Sequence, residues 1–263
     1  MKLWEHKMTR AIGIIPARMA SSRLPGKPLV PICGIPMVGH VYFRSKMSRA
    51  LEEVYIATCD KEICDYADGI GATGIMTADT HERATDRSAE AMEKIEAMTG
   101  EKADIIVMIQ GDEPLLVPQM IDEVIAPLKK DPEIMVANLM SPLKNLEEFK
   151  DPNEVKVVVD ENGFALYFSR EPIPSIKKGG KNIPMMRQLC IIPFRRDFLL
   201  TFNKLPPTPL EVIESIDMLR LLEHGYKVKI VSTESDTYSV DTPEDLSKVE
   251  QLMKNDPLLA KYT

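Results

Sequence analysis

The chain has 263 residues, of which 44% are hydrophobic and 28% charged, and its formal net charge is −7 at pH 7. This apolar fraction supports a sizeable core and excludes a wholly disordered protein. The acidic balance argues against a nucleic-acid-binding protein, which needs a clustered excess of Lys and Arg, although a local basic cluster can still hold an anionic substrate.

The first half of the chain alternates short apolar strands with helical segments. The pattern predicts strands over residues 11–16, 54–58, 74–76 and 105–109, and helices over residues 36–51, 60–69 and 89–98. Such alternation is typical of an α/β fold with a mostly parallel sheet and helices on both faces. Sheets of this kind bind ligands at the carboxyl ends of their strands. The polar segments 17–27, 77–87 and 110–114 each follow a predicted strand, so we expect them to form one site.

The second half has a different pattern. Residues 155–168 predict a β-hairpin, and a strand near 189–194, a helix over 211–224, a strand over 227–231 and a helix after Pro243 follow. No repeat and no long linker divides the sequence. We therefore expect a single domain over residues 1–263, with an inserted lobe at roughly 155–205.

The cysteines and the apolar runs indicate a cellular compartment. Cys33, Cys59, Cys64 and Cys190 form neither a CxxC pair nor a zinc-ligand spacing. In a domain of this size we expect reduced thiols rather than a disulfide framework. The first ten residues are too polar for a signal peptide, and no apolar run approaches the roughly 20 residues that span a bilayer. We expect a cytoplasmic protein that binds neither nucleic acid nor a membrane.

The segment 18–27 follows the first predicted strand and is rich in groups that bind anions. It contains two arginines, two serines, a glycine and a lysine: Arg18, Ser21, Ser22, Arg23, Gly26 and Lys27. Guanidinium groups, an ammonium and accessible backbone N–H groups are the parts of a polyphosphate site. The segment is not a Walker A loop, because GxxxxGK[ST] is absent. A solvated basic loop is the alternative, but so many donors at the end of a strand favour phosphate binding.

Two acidic segments are candidates for a metal site. The sequence QGDEP at residues 110–114 follows an all-apolar strand, so Asp112 or Glu113 can present a carboxylate to Mg²⁺ at the sheet edge. Gly, Asp and Pro also form ordinary turns, so the position of this segment is the stronger argument. Further on, helix capping accounts for Thr242 but not for Asp241. Asp241 is either a metal ligand or an ordinary residue before the cap.

Over nearly its whole length the chain resembles the 3-deoxy-manno-octulosonate (Kdo) cytidylyltransferases, also called CMP-Kdo synthetases. The matching segments are IIPARMASSRLPGKPLV, QGDEP, DPNEVKVVVD, GFALYFSR, PLEVIE and VDTPEDL, and it is their combination that is specific. The resemblance implies a nucleotide-diphospho-sugar transferase (Rossmann-like) fold and a homodimer whose interface uses a small inserted β-rich lobe. The implied reaction transfers CMP from CTP to the anomeric hydroxyl of a Kdo-like acidic sugar and releases pyrophosphate.

The resemblance also implies roles for individual residues. CTP is expected to contact Arg18, Ser22, Arg23, Lys27, Thr85, Asp86, Arg87 and Gln110. The sugar is expected to contact Arg170, Glu211 and Glu214, and Mg²⁺ is assigned to Asp112 and Asp241. In the implied mechanism the sugar hydroxyl attacks the α-phosphorus in line, with Asp112 and Asp241 placing the metal. Arg18 and Lys27 would stabilise the departing pyrophosphate.

Two segments depart from the pattern of this family. The motif Ser-Gly-Thr-Asp-Arg reads Arg83-Ala-Thr-Asp-Arg87 here, and because its last three residues remain we expect CTP binding to persist. The segment Arg-His-Leu-Gly-Ile-Tyr reads Arg187-Gln-Leu-Cys-Ile-Ile192. Gln188 and Ile192 thus occupy sugar-facing positions where the family has His and Tyr. Polar groups in a pocket discriminate strongly between ligands, so we expect a related ulosonic acid rather than ordinary Kdo.

Two other functions remain open. A cytidylyltransferase for a nonulosonic (sialic-type) acid would share the Arg-rich loop and the acidic metal site, and assays of both acids separate the two enzymes. A non-catalytic, CTP-binding regulator on the same scaffold is the second alternative. The presence of Lys27, Asp112 and Asp241 argues against it, because a pure binder does not need both metal carboxylates.

Overall fold

A computed structural model describes residues 9–21, 23–178 and 182–263. The strands within these segments are β1 (Ala11–Ala17), β2 (Pro31–Ile32), β3 (Ile35–Pro36), β4 (Glu53–Thr58), β5 (Thr73–Met76), β6 (Ile105–Ile109), β7 (Ala137–Pro142), β8 (Lys156–Val159), β9 (Ala165–Ser169), β10 (Met186–Leu189), β11 (Ile191–Arg195) and β12 (Lys229–Ser232). The α-helices are α1 (Met37–Lys46), α2 (Lys61–Gly69), α3 (Ala84–Thr99), α4 (Pro118–Lys130), α5 (Leu146–Lys150), α6 (Arg196–Lys204), α7 (Pro209–Glu214), α8 (Met218–Glu223) and α9 (Pro243–Met253).

The central sheet has the strand order β11-β6-β1-β4-β5. Its pairs are parallel except for the edge strand β11, which runs antiparallel to β6. Ile12 and Ile14 of β1 pack on the face covered by α3 and α6, whereas Ala11 and Ile15 pack on the face covered by α1, α2 and α4. This two-sided burial explains why the strands are almost continuously apolar, and it confirms the predicted α/β fold.

A second sheet has the strand order β12-β7-β10-β8-β9. The predicted hairpin is present as β8 and β9, with Val157 opposite Phe168. The segment 155–205 divides between the sheets, however, because β10 lies in the second sheet whereas β11 and α6 belong to the central layer. The chain changes sheet at Cys190, well before the expected end of the lobe near residue 205. The second sheet also takes β7 and β12 from outside that segment.

Two predicted elements are broken in the structure. The single strand expected near 189–194 is two strands in different sheets, β10 and β11. The helix expected over 211–224 is α7 and α8, separated at Ser215, which has the left-handed backbone value φ 54°. Hydrophobic periodicity does not reveal such a break, because a non-glycine residue adopts this conformation only when its surroundings hold it there.

The C-terminal segment is fastened to the central layer through α1. The buried side chain of Arg44 donates from Nη2 to Asp256 Oδ2 at 2.6 Å and from Nε to the Tyr262 hydroxyl at 3.0 Å. The His40 ring bonds the same hydroxyl at 2.9 Å. These contacts hold the end of the chain behind α9, which follows Asp241. Within the described segments no helix is both long and apolar enough to cross a lipid bilayer.

Candidate active site

Two adjoining cavities open at the carboxyl ends of β1, β5 and β6. The larger cavity, of about 540 Å³, is bounded by β10, β11 and the α7–α8 turn, and the smaller cavity, of about 440 Å³, by the loop after β1 and the start of α3. Arg23, Gln110, Asp112 and Asp241 line both cavities. The structure thus brings the three polar segments together, as the sequence predicted, and adds the segment around Asp241.

Lys27 joins the two candidate metal carboxylates at the junction of these cavities. Its Nζ donates to Asp112 Oδ2 at 2.7 Å and to Asp241 Oδ1 at 3.0 Å. The backbone N–H of Val240 donates to the Asp112 carbonyl at 2.9 Å, which aligns the distant segment with the end of β6. Burial lowers the pKa of Lys27, but the two carboxylates outweigh that effect and the pKa is raised. The lysine is therefore a firmly charged member of the site.

The donor set around Lys27 fits a magnesium ion. Asp112 Oδ1 is buried and has no hydrogen-bond partner among the described residues. Arg23 Nη2 lies 3.0 Å from Asp241 Oδ1. Among the described residues no group of three or more His, Cys, Asp or Glu side chains forms a closed metal cage. Mg²⁺ needs no such cage, because it commonly takes one or two carboxylates together with water and substrate phosphates.

Basic and polar side chains line the smaller cavity. Arg18, which is exposed, and Gln110, which is partly buried, are among them. Arg87 also lines it, but its Nη1 donates to the Thr77 hydroxyl and to the Ala78 carbonyl, so the guanidinium also fixes the loop after β5.

Of the expected nucleotide-binding residues that the structure describes, Thr85 and Asp86 do not line the smaller cavity. The predicted contact Ser22 lies outside the described residues. Thr85 is fully buried and Asp86 partly buried, and neither lines the cavity. Both belong to the first turn of α3, so their positions support this wall from behind.

The larger cavity contains three of the five expected sugar-binding residues. Arg170, Gln188 and Ile192 line it. Arg170 donates to the backbone carbonyls of Glu214 at 2.6 Å and Pro152 at 2.7 Å. Gln188 donates from Nε2 to Asn138 Oδ1, which fixes the orientation of its amide. Ile192 is buried on β11, which pairs with β6, and it presents an apolar surface to the cavity.

Glu211 and Glu214, which were expected to contact the sugar, do not line the larger cavity. Glu211 is fully buried and accepts two hydrogen bonds from Arg220, at 2.6 and 2.7 Å. Glu214 accepts hydrogen bonds from the Ser169 hydroxyl and the Arg170 backbone N–H, both at 2.8 Å. Their carboxylates are taken up by these donors, so both residues support the wall of the cavity from behind.

Glu113 and Arg187 also line the larger cavity: Glu113 was the alternative to Asp112 as a metal carboxylate, and Arg187 had no predicted role. The structure separates Asp112, which contacts Lys27, from Glu113, which lies in the larger cavity with its Oε2 buried and unpartnered among the described residues. Burial raises the pKa of Glu113 to about 7, and Asp112 adds to this effect while Arg187 opposes it. Arg187 is itself held by Glu154 at 2.9 Å. The arginine at the start of the segment 187–192 was the available signal for this residue.

The likeness to known proteins extends over both cavities. A sequence model of the family described as "Cytidylyltransferase" matches residues 12–230, which include every predicted site residue except Asp241. A 3-deoxy-manno-octulosonate cytidylyltransferase of Geobacter metallireducens is 46% identical over 246 residues, covering 90% of this chain and 94% of that protein. The mitochondrial 3-deoxy-manno-octulosonate cytidylyltransferase of Arabidopsis thaliana is 44% identical over 248 residues, covering 94% of this chain and 84% of that protein.

Solved structures show the same likeness in three dimensions. A CMP:2-keto-3-deoxy-manno-octonic acid synthetase complexed with CTP matches with a TM-score of 0.86 and 38% identity, covering 94% of this chain and 99% of that one. A cytidylyltransferase from Leptospira borgpetersenii matches with a TM-score of 0.61 at 19% identity, which indicates a common fold alone. Together with the parallel central sheet, the first match confirms the nucleotide-diphospho-sugar transferase fold.

Proposed function

Since this chain belongs to the cytidylyltransferase family, we propose that it transfers CMP from CTP to the anomeric hydroxyl of Kdo or a closely related acidic sugar and releases pyrophosphate. The observation that carries this proposal is the pair of adjoining cavities that share Asp112 and Asp241. The smaller cavity suits a nucleoside triphosphate, and the larger cavity has room for a sugar acid. The shared carboxylates lie where the two substrates would meet.

The smaller cavity is the proposed CTP site. Arg18 and Arg23 supply exposed guanidinium groups, and Lys27 supplies a partly buried ammonium. These donors suit the charge of a triphosphate, because planar forks and a point charge together can contact several phosphate oxygens. Gln110 contributes an uncharged amide between the two cavities. Arg18 and Lys27 are the groups that we assign to stabilising the pyrophosphate as it leaves.

Asp112 and Asp241 are the residues that would hold Mg²⁺. When bound there, the ion would neutralise charge on the α-phosphate and on the attacking oxygen. Lys27 already bonds both carboxylates. Its long side chain can exchange one of them for a phosphate oxygen, so the same ammonium can serve the carboxylates and the triphosphate. The unpartnered Asp112 Oδ1 is the oxygen that supports this assignment most directly.

The larger cavity is the proposed sugar site. Arg170 contacts backbone carbonyl oxygens rather than a carboxylate, so its positive charge can attract the acid group of the sugar. Gln188 offers an amide oxygen and Ile192 an apolar surface. Catalysis then depends mainly on positioning, since in-line displacement at phosphorus needs little covalent help from the protein. These side chains set the angle at which the hydroxyl meets the α-phosphorus.

The identity of the acidic sugar rests on Gln188 and Ile192. Replacing hydrogen-bonding His and Tyr by Gln and Ile removes a ring nitrogen and a phenol from the cavity. Such a change favours an acid whose substituents are less polar or differently placed than those of Kdo. A nonulosonic acid is the second candidate, and the apolar surface of Ile192 on the cavity wall is the observation that favours it.

A homodimer is the proposed assembly. Val212 and Ile213 of α7 are 64% and 77% exposed, and Leu166 of the neighbouring β9 is 61% exposed. Tyr167 of β9 and Glu214 of α7 share a hydrogen bond, so these apolar side chains belong to adjacent elements. Large apolar side chains that are exposed on neighbouring elements support the proposal that another chain covers this region. A second copy placed here would lie against the second sheet, as the family resemblance implies.

The cytoplasm is the proposed compartment. Cys33, Cys59, Cys64 and Cys190 are all free thiols, which is usual in a reducing environment. The Arabidopsis relative is named as mitochondrial, so the family is not confined to one compartment. Fractionation of cells that express a tagged chain, with marker proteins for each compartment, would test this.

Pyrophosphate release tests the proposed reaction. The enzyme would be mixed with CTP, Mg²⁺ and one acid at a time: Kdo, a modified octulosonic acid and a nonulosonic acid. We expect release that requires all three components and gives a CMP-sugar detectable by mass spectrometry. Release with UTP or ATP in place of CTP would contradict the nucleotide assignment. No release with any acid, from a folded protein that binds CTP, would favour the non-catalytic regulator.

A further inference from the structure

Arg83 lies at the junction of the two cavities and has no role in the reaction as proposed so far. It is the residue immediately before α3, and its side chain lines both the larger and the smaller cavity. In the corresponding motif of the family that the sequence resembles, this position is Ser. A serine cannot span the distance that the arginine covers, so Arg83 gives this chain contacts of its own.

The guanidinium of Arg83 reaches across to the α7–α8 turn. Its Nη1 lies 2.9 Å from Glu211 Oε1 and also contacts Asp217 Oδ1. Ser215 and Asp217 of this turn line the larger cavity. Arg83 therefore ties the start of α3, on the nucleotide side, to a wall of the sugar site.

The charge lining the larger cavity is unfavourable for an acid. Among the described residues, Arg23, Arg83, Arg170 and Arg187 line it, against six Asp and Glu side chains. An anionic substrate therefore enters a cavity with an excess of carboxylates, two of which are assigned to Mg²⁺. Each remaining carboxylate on the wall would repel the substrate unless a cation faces it.

The positive charges of Arg83 and Arg220 equal in number the negative charges of Glu211 and Asp217. Arg220 donates to both oxygens of Glu211, and Arg83 supplies the contact to Asp217. Burial raises the pKa of Asp217 and the Arg83 charge opposes that rise. Without Arg83, two carboxylates would share a single guanidinium, and the uncompensated charge would lie on the wall that faces the sugar.

We propose that Arg83 is a positioning residue that determines specificity for an anionic sugar, because it neutralises Asp217 and holds the α7–α8 wall of the larger cavity. This inference rests on the proposed function, since it assigns the larger cavity to a sugar acid. The turn has other supports: Glu211 is bonded to Arg220, and Glu214 to Ser169 at 2.8 Å. Removal of Arg83 is therefore expected to change the charge and position of this wall without unfolding it.

Four variants test the role of Arg83. Arg83→Ser removes the cation, Arg83→Lys keeps the charge, and the double variant Arg83→Ser with Asp217→Asn removes the cation together with its carboxylate. Arg196→Ser is the matched control, because Arg196 pairs with Glu96 near the other end of α3 at 2.6 Å and lines neither cavity. The KM for the sugar acid and the KM for CTP would be measured for each variant at low and high salt, with melting temperatures alongside.

We expect Arg83→Ser to raise the KM for the sugar acid on the order of tenfold, while the KM for CTP changes by less than about twofold. The effect should shrink at high salt, because it is electrostatic. Arg83→Lys and the double variant should both recover much of the loss, and Arg196→Ser should leave both KM values unchanged.

Three results would overturn the inference: a double variant no better than Arg83→Ser, no recovery in Arg83→Lys, or equal rises in both KM values. The wild-type enzyme separates these results from a failure of the proposed function. If it releases pyrophosphate with none of the acids, the function itself is wrong. If it turns over an acid and the variants behave alike, only the role of Arg83 is wrong.

Discussion

The ammonium nitrogen of Lys27 lies 2.7 Å from the Asp112 carboxylate, although the two residues are 85 positions apart in the sequence. The same nitrogen contacts Asp241 at 3.0 Å. One side chain therefore gathers the loop after β1, the end of β6 and the segment before α9 at a single point. The proposed metal would compete with Lys27 for the two carboxylates, and the triphosphate would compete with the carboxylates for Lys27. Lys27 is therefore the most informative residue to change first.

Lys27→Met is expected to lower kcat/KM for pyrophosphate release by at least about 100-fold, because it removes the cation aimed at the departing phosphates. Methionine retains much of the apolar stem, so the fold should survive. Lys61→Met is the control, since Lys61 is 79% exposed and pairs with its helical neighbour Asp65. A Lys27→Met enzyme within fivefold of wild type would refute the assignment of this residue to the phosphates.

Asp112→Asn is expected to abolish the dependence of CTP binding on Mg²⁺. Asparagine keeps the shape of the side chain but removes the charge that a hard cation needs. Titration of CTP into wild type should give tighter binding with Mg²⁺ than with EDTA, and the variant should give equal binding in both. Asp65→Asn, at an exposed position, should behave as wild type. A variant that retains a Mg²⁺ response would place the metal elsewhere.

Gln188→His combined with Ile192→Tyr is expected to shift preference toward Kdo. The change restores a ring nitrogen and a phenol to the larger cavity, and a pocket with matched polar groups rejects ligands that leave them unpaired. The ratio of kcat/KM for Kdo to that for the preferred acid would be measured, with Gln188→His alone as a variant that adds little volume. Equal Kdo turnover in wild type and in both variants would show that these positions do not choose the sugar.

The ionisation of Glu90 makes part of the free energy of unfolding depend on pH. Burial raises the pKa of Glu90, but hydrogen bonds from Lys94, the Ala78 backbone N–H and His81 outweigh it and lower the pKa to about 2, from 4.5. Because the folded pKa is the lower one, Glu90 stabilises the fold fully above pH 4.5, and this contribution disappears as the pH falls toward 2.

Glu90→Gln should therefore cost about 1–2 kcal/mol at pH 7, a figure reduced for the partial exposure of the side chain, and almost nothing near pH 2. Urea unfolding at several pH values measures the difference. The exposed Glu93→Gln, on the same helix, is the control. If the loss of unfolding free energy stays constant with pH, the charge of Glu90 is not what stabilises the loop after β5.

The sequence predicted the central sheet well, because its strands are buried on both faces and read as continuous apolar runs. It placed Arg18, Lys27, Asp112 and Asp241 in one site from the ends of those strands and from the family resemblance. It was wrong where tertiary contacts decide the outcome. The left-handed Ser215 splits a helix that periodicity joined, and Cys190 marks a change of sheet that no local pattern reveals.

Tertiary contacts also decide where polar side chains lie. Glu211 and Glu214 were expected to face the sugar, yet their carboxylates are bonded to Arg220 and Ser169 behind the wall. A motif identifies a position near the site, but the partner that takes up a carboxylate comes from a distant part of the chain. The place of Glu113 and Arg187 in the larger cavity could not be predicted for the same reason, since their burial depends on how β10 meets the end of β6.

Ile213→Glu is expected to dissociate the proposed homodimer. The side chain of Ile213 is 77% exposed on α7, next to Val212, and a carboxylate there would have to be desolvated in an apolar interface. Light scattering after size-exclusion chromatography should give a mass near 60 kDa for wild type, about twice the 29.6 kDa of one chain, and near 30 kDa for the variant.

Met98→Glu provides the matched control, because Met98 is 57% exposed near the end of α3, outside the proposed interface. If Ile213→Glu remains a dimer, another face forms the contact. If wild type is a monomer, the exposed α7 surface requires a different partner, and the activity must then be complete within one chain.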